Sequence, residues 1–151
     1  DKGVFRFEYF NTSYLFDGKS YTNLPAMPFK RSNMALVASS ASDGADWVFA
    51  MGGGETDPSY DTCAKLEIPA ASTKLAQTWE SCGPLVNPRS WMAAGVVDKS
   101  IVIAGGMGGE FSPTNEVDTM TLSGSNAGGN WTYAGCDLPA PAGFGGRADQ
   151  S

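Results

Sequence analysis

Three acidic residues follow glycine-rich stretches and are the first candidates for chemistry in this chain. Glu55 and Asp57 come after the run Gly52 to Gly54, and Glu110 comes after a second such stretch. Carboxylate oxygens are the ligands that Ca²⁺ prefers, so acids on neighbouring loops could bind calcium or a cationic ligand. No D-x-D-x-D-G calcium loop is present, however, and acids on turns are ordinarily hydrated. The sequence therefore predicts no metal site and no cofactor.

Histidine is absent from all 151 residues. Its absence excludes histidine acid–base catalysis, Ser-His-Asp triads and His-ligated zinc or copper within the chain. The formal net charge of −6 argues against nucleic acid as a partner, because that contact needs clustered Lys and Arg. No stretch is long and apolar enough to predict a membrane span. The chain itself is therefore predicted not to be an enzyme.

One pattern occurs twice along the chain at a spacing of about fifty residues. Residues 47–54 form an apolar run that ends in glycines, and residues 100–106 repeat it. A tryptophan follows each run, and Trp79 and Trp131 lie 52 residues apart. Self-similarity at this period indicates a repeat architecture.

Each unit contains four segments of strand length, so the chain is predicted to be all-β. Short apolar runs bounded by Gly, Pro, Asn and Asp are typical of strands, and no window shows sustained helical periodicity. The predicted strands of the first unit are residues 34–39, 47–51, 60–68 and 77–85. Those of the second are residues 91–97, 100–104, 116–122 and 131–138. Four antiparallel strands in each unit make one blade of a β-propeller.

Together these features resemble kelch repeats. The resemblance rests on a glycine doublet that closes an apolar strand, an aromatic or aliphatic residue on the next strand, a Trp on the fourth and an Arg at the step between units. The positions are Gly53, Gly54, Gly105, Gly106, Tyr60, Val117, Trp79, Trp131, Arg31, Arg89 and Arg147. The resemblance implies kelch-type propeller blades, each a four-stranded antiparallel sheet, in an incomplete ring.

The repeated residues have structural explanations in such a fold. Glycine permits close backbone approach and positive φ, and tryptophan supplies apolar area between neighbouring blades. Arg31, Arg89 and Arg147 recur 58 residues apart. In-phase repetition predicts a structural role for these arginines, such as bonding to carbonyls between blades.

The resemblance covers residues 1–151 as one partial propeller. Residues 1–30 are predicted to end one blade, 31–88 and 89–139 to form two more, and 140–151 to enter the next. Tyr21 stands 58 residues before Trp79, in the corresponding position, and the Asp17-Gly18 pair predicts a hairpin turn. A closed propeller needs about four to eight blades. We therefore expect further blades, from the same longer chain or from other copies.

Cys63 and Cys82 fall on the third and fourth predicted strands of one unit. The midpoint of their numbers lies in the loop between these strands, so the two residues are nearly opposite and within reach of a disulfide. Two buried free thiols are the alternative. Cys136 has no comparable partner and is either free or bonded to a residue outside this chain.

Two N-glycosylation sequons begin at Asn11 and Asn130. A sequon has meaning only in a secreted chain. Together with the cysteine geometry, the low lysine content and the acidic charge, the sequons favour an extracellular or cell-surface location.

Three functions remain open from the sequence. The favoured one is a non-catalytic scaffold or interaction module that contacts protein or glycan within a larger extracellular assembly. Its contact loops would be residues 55–59, with Glu55 and Asp57, and residues 107–115, with Glu110 and Phe111. A second is a fragment of a secreted galactose-oxidase-like or glycan-active enzyme whose catalytic residues lie outside the chain. A third is an intracellular kelch adaptor, which requires all three thiols to be free.

Overall fold

The computed structural model describes residues 8–40, 45–54, 60–68, 78–122 and 129–139. Within these ranges the chain forms ten strands and one short 3₁₀ helix, so the predicted all-β class is confirmed. The strands form one two-stranded and two four-stranded antiparallel sheets, which are open and consistent with an incomplete ring of propeller blades. No helix in these ranges is long and apolar enough to cross a membrane.

The two-stranded sheet is a hairpin of β1 (Ser13–Phe16) and β2 (Tyr21–Leu24). Gly18 lies in its turn with a φ of 94°, and the Asp17 carboxylate accepts hydrogen bonds from the backbone N–H groups of Ser20 and Lys19, each at 2.8 Å. These bonds stabilise the ionised form and lower the pKa of Asp17. The hairpin turn predicted from the Asp17-Gly18 pair is confirmed.

The two larger sheets follow one another along the chain. Sheet I contains β3 (Ala35–Ser40), β4 (Asp46–Met51), β5 (Thr62–Ile68) and β6 (Glu80–Pro84), in that spatial order. Sheet II contains β7 (Ala93–Val97), β8 (Ser100–Ala104), β9 (Glu116–Thr121) and β10 (Thr132–Asp137), also in chain order. All eight strands overlap the eight predicted segments, because each apolar run is bounded by residues that favour turns.

The hydrophobic core lies between sheets I and II. Successive side chains of a strand point to opposite faces, so Phe49 and Met51 share one face of β4, and Ile101 and Ile103 share one face of β8. None of these four side chains is exposed to solvent. The buried cluster consists of Ala35, Val37, Trp47, Phe49, Met51, Cys63, Cys82, Leu85, Met92, Ile101, Ile103, Met120 and Trp131. The first strands of the two sheets, β3 and β7, are neighbours, and side chains of both sheets share the one buried cluster.

Candidate functional site

A glycine doublet follows the second strand of each large sheet. Gly52 and Gly53 have φ values of 58° and 77°, and Gly105 and Gly106 have values of 64° and 102°. Residues with side chains rarely adopt this left-handed region. The doublets that correspond in conformation are therefore 52–53 and 105–106. The repeat pattern in the sequence matches Gly53 and Gly54 to Gly105 and Gly106, and this match is one residue out of register.

The second glycine of each doublet lies directly against the segment that leads into the first strand of its sheet. A Cβ atom on Gly53 would collide with the carbonyl oxygen of Ser32, and one on Gly106 would collide with that of Ser90. Ser32 forms a β-bridge with Gly54, and Ser90 forms the matching bridge with Met107. Glycine is therefore required here by close backbone approach as well as by φ.

Arg31 and Arg89 hold together the sheet that each one leads into. Nη1 of Arg31 donates to the carbonyl oxygen of Gly52 at 3.2 Å, and its Nη2 donates to Oγ1 of Thr62 at 3.2 Å. Nη1 of Arg89 donates to the carbonyl oxygen of Glu116 at 3.2 Å. The carbonyls that accept these bonds belong to the sheet that each arginine leads into. The sequence predicts carbonyls between blades instead, and this part of the prediction is wrong, because the entry segment crosses the ends of the second and third strands of its own sheet. Arg147 lies outside the described residues.

Arg89 also forms a buried ion pair. Its Nη2 donates to Oδ2 of Asp118 at 2.7 Å and to Oε2 of Glu116 at 2.9 Å. Nε of Arg89 and Oδ1 of Asp118 have no hydrogen-bond partner among the described residues. Burial raises the pKa of Asp118, with the charge of Arg89 acting against this and the charge of Glu116 adding to it.

In sheet I the acidic partners are absent at the corresponding positions. The backbone N–H of Gly52 donates to Thr62, and that of Gly105 donates to Glu116, so Thr62 corresponds to Glu116. Two residues further along, Ala64 takes the place of Asp118. Burial lowers the pKa of Arg31, and the charge of Tyr60 acts in the opposite direction.

Cys63 and Cys82 form a buried disulfide between β5 and β6. Their Cα atoms lie 5.1 Å apart across 19 residues of sequence, which confirms the predicted pair and makes the alternative of two free thiols wrong. Cys136 is free and exposed on β10. It lies in a β-bulge opposite Val117, which takes the place that Cys63 has opposite the bulge containing Cys82, so the corresponding position carries no thiol.

The two repeated tryptophans have different environments. Trp131 is buried in the cluster that contains residues of sheets I and II. Trp79 is half-buried, and its Nε1 donates to the carbonyl oxygen of Pro25 at 2.8 Å, which ties sheet I to the segment after the hairpin. Tyr21, which aligns with Trp79, is 73 % exposed.

Phe111, on the loop of residues 107–115, forms an aromatic pair with Trp91, which lies just before β7. Phe111 is 55 % exposed, and its ring centroid lies 6.1 Å from that of Trp91, which is 50 % exposed. Trp91, Glu110 and Phe111 all have φ between 53° and 55°, an unfavourable conformation for residues with side chains. Sequence reasoning identified Phe111 and Glu110 but missed Trp91, which it assigned to a strand. Asn33, which follows Arg31 by two residues as Trp91 follows Arg89, has a φ of 54°. No pattern in the sequence predicted this value.

The two sequons differ in exposure. Nδ2 of Asn11, the atom that would carry a glycan, donates to the carbonyl oxygen of Met27 at 3.1 Å, and the residue is half-buried. Asn115, which is not part of a sequon, makes the equivalent bond before β9: its Nδ2 donates to the carbonyl oxygen of Leu138 at 3.4 Å. Asn130 is exposed. The geometry therefore favours Asn130 as a glycan acceptor over Asn11.

The acidic candidates are only partly described. Glu55 and Asp57 lie outside the described residues, whereas Glu110 is exposed on the loop of residues 107–115. In the described ranges, no three His, Cys, Asp or Glu side chains lie close enough together to hold a metal ion. The sequence matches no protein-family model and none of the curated proteins with which it was compared.

Proposed function

We propose that this chain is a segment of a kelch-type β-propeller and acts as a non-catalytic scaffold or interaction module. The observation that carries the proposal is the stacking of sheets I and II. Their apolar faces enclose one core, their first strands are adjacent, and each has the same glycine doublet and entry arginine. Neighbouring blades of a propeller are related in this way.

The exposed pair Trp91 and Phe111 is the proposed contact surface. Large aromatic side chains supply apolar area at little cost in conformational entropy and are enriched at binding hot spots. The rings are held side by side on a backbone of positive φ, and Glu110 adds a carboxylate to the same loop. Such a surface suits a protein segment or the apolar face of a glycan.

The proposed setting is extracellular or at the cell surface, within a larger protein or assembly. The buried disulfide between Cys63 and Cys82 is typical of oxidising compartments, and Asn130 is an exposed sequon. The intracellular adaptor required three free thiols, so the disulfide disfavours it.

Binding to immobilised panels of glycans and extracellular protein domains tests the proposal. We expect one class of ligand to bind, and Trp91→Ala or Phe111→Ala to weaken its affinity at least about tenfold, the effect of losing a hot-spot residue. Tyr133→Ala is the matched control, because Tyr133 is an equally exposed aromatic on β10. Binding that tolerates both loop variants would contradict the assigned surface, and turnover of a bound ligand by the chain alone would contradict a non-catalytic role.

A further inference from the structure

Arg31 is a buried cation that has no carboxylate partner among the described residues. The residue is only 5 % exposed, and the ion pairs in the described part of the chain involve Lys65 and Arg89 but not Arg31. Arginine stays protonated in proteins, so the cost of burial cannot be relieved by loss of the charge. Buried charges are ordinarily paired, because an isolated one is expensive to remove from water.

Sheet II shows how the same chain pairs the corresponding arginine. Each of the two entry arginines is followed by a serine that forms a β-bridge with the segment after the second strand, so their positions correspond. In sheet II, Nη2 of Arg89 donates to the carboxylates of Asp118 and Glu116 at 2.7 Å and 2.9 Å. The corresponding residues of sheet I are Ala64 and Thr62, which carry no charge. One arginine therefore has two anionic partners, and the other has none from these positions.

The neutral acceptors around Arg31 use only part of its capacity to donate. Its Nη1 donates to the carbonyl oxygens of Gly52 and Ala50 at 3.2 Å and 3.5 Å, and its Nη2 donates to Oγ1 of Thr62 at 3.2 Å. Bonds from a guanidinium to a carboxylate are shorter, about 2.7–2.9 Å. A guanidinium carries five N–H donors, so these three bonds leave two of them over. One of the two is on Nε, which is buried and has no partner among the described residues.

Two aromatic rings flank the guanidinium of Arg31. Its Cζ lies 5.8 Å from the ring centroid of Phe29 and 5.9 Å from that of Tyr60. Ring faces attract a cation, but they supply no negative charge and leave the remaining N–H donors without an acceptor. Phe29 is 47 % exposed, so the guanidinium lies just below the surface and not in the middle of the core. A dissolved ion therefore has only a short distance to travel to reach it.

We propose that Arg31 binds a small monovalent anion, of the size of chloride or formate, through Nε and Nη2. The anion supplies to sheet I the negative charge that Asp118 supplies to sheet II. It thereby fastens the entry segment of β3 to β4 and β5, whose residues accept the other bonds of Arg31. This inference goes beyond the proposed scaffold function and does not depend on it.

Urea titrations of the full chain measure the binding. Sodium chloride is exchanged for sodium gluconate, a bulkier anion, at constant ionic strength. For one site that exists only in the folded state, the folded-to-unfolded ratio grows with anion concentration above the dissociation constant. Over an about hundredfold range of chloride, this ratio is expected to rise at least about tenfold. Formate should act in the same way, because it is the free form of a carboxylate group. No response to either anion would overturn the proposal.

Ala64→Asp is the decisive variant, because it places a carboxylate where sheet II has Asp118. It is expected to be more stable than the wild type in gluconate and to lose the response to chloride. Arg31→Met removes the cation and should lose the response as well. Lys99→Met is the matched control, since it removes an exposed cation in the turn between β7 and β8 and should keep the response. A chloride response that persists in Arg31→Met or Ala64→Asp would contradict the site.

A crystal soaked in bromide locates the ion. We expect an anomalous peak within hydrogen-bond distance of Nε of Arg31, and a peak only at other positions would assign the response elsewhere and overturn the site. Bromide beside Arg31 without a chloride response in solution would be an adventitious ion only, which also overturns the proposal.

The acids Glu55 and Asp57, which lie outside the described residues, are the competing source of negative charge. The double variant Glu55→Gln with Asp57→Asn distinguishes the two sources, and it is expected to respond to chloride as the wild type does. If chloride stabilises this double variant but not the wild type, the chain supplies its own anion and the proposal fails.

Discussion

Nη2 of Arg89 donates a 2.7 Å hydrogen bond to Oδ2 of Asp118, and neither residue has any solvent-exposed surface. The pair fastens the entry of β7 to the middle of β9, two strands away in sheet II. Removing one partner of a buried ion pair leaves an uncompensated charge, which costs about 3–5 kcal/mol.

Asp118→Ala is therefore expected to lower the free energy of unfolding by at most about 3–5 kcal/mol, because buried Arg89 loses its buried anion and keeps only the partly exposed Glu116 as an acidic partner. The double variant Arg89→Met with Asp118→Leu should recover part of this loss, since apolar residues of similar volume leave no unpaired charge. Urea titrations of the wild type, the single variants Arg89→Met and Asp118→Leu, and the double variant measure the coupling. Additive losses in the double variant would mean that the two side chains do not act as a pair.

The raised pKa of Asp118 has a defined consequence for pH dependence. A raised folded-state pKa means that the contribution of this carboxyl to stability is complete below its unfolded pKa of about 3.9 and is lost as pH rises through the folded value. The stability of the wild type relative to Asp118→Asn should therefore decline from about pH 4 upward. Denaturant titrations of both proteins at several pH values test this. A relative stability that rises with pH would show that the charge of Arg89 outweighs burial.

The second glycine of the doublet allows a matched pair of substitutions. Gly106→Ala places a Cβ against the carbonyl of Ser90 at a φ of 102°, and is expected to cost about 1–3 kcal/mol. Gly95→Ala on β7 meets nothing within 4 Å and should be neutral or slightly stabilising. Thermal unfolding of both variants makes the comparison. Equal effects would remove close approach as the reason for glycine at position 106.

The disulfide is expected to stabilise the chain by about 3 kcal/mol, because it restricts the unfolded state across the segment between β5 and β6. Cys82→Ser should lose this amount, whereas Cys136→Ser should lose almost nothing, since Cys136 is exposed and unpaired. Unfolding with and without reductant gives the measurement. Wild type and Cys82→Ser should become equally stable in reductant, and a persistent difference would point to packing of the Cys82 sulfur instead.

Local patterns were enough to predict the strands and the disulfide. β3, β4, β7 and β8 are short, mainly apolar runs between turn-forming residues, and the central position of the loop between Cys63 and Cys82 placed these two cysteines opposite each other. The glycine register failed by one residue because the loops between strands differ in length. Gly53 and its true counterpart Gly106 are separated by 53 residues, whereas Trp79 and Trp131 are separated by 52. A single sequence offset cannot align both.

The sequence by itself determined that this protein is a repeated, all-β chain with a disulfide across one strand pair, because side-chain polarity and turn residues act over a few neighbouring positions. Only the tertiary structure decided which carbonyls Arg31 and Arg89 bind, that Trp91 lies beside Phe111, and that the N-terminal hairpin is tied to sheet I by the bond from Trp79 to Pro25. These relationships join residues far apart in the chain, and they depend on how the sheets pack and where each loop crosses them.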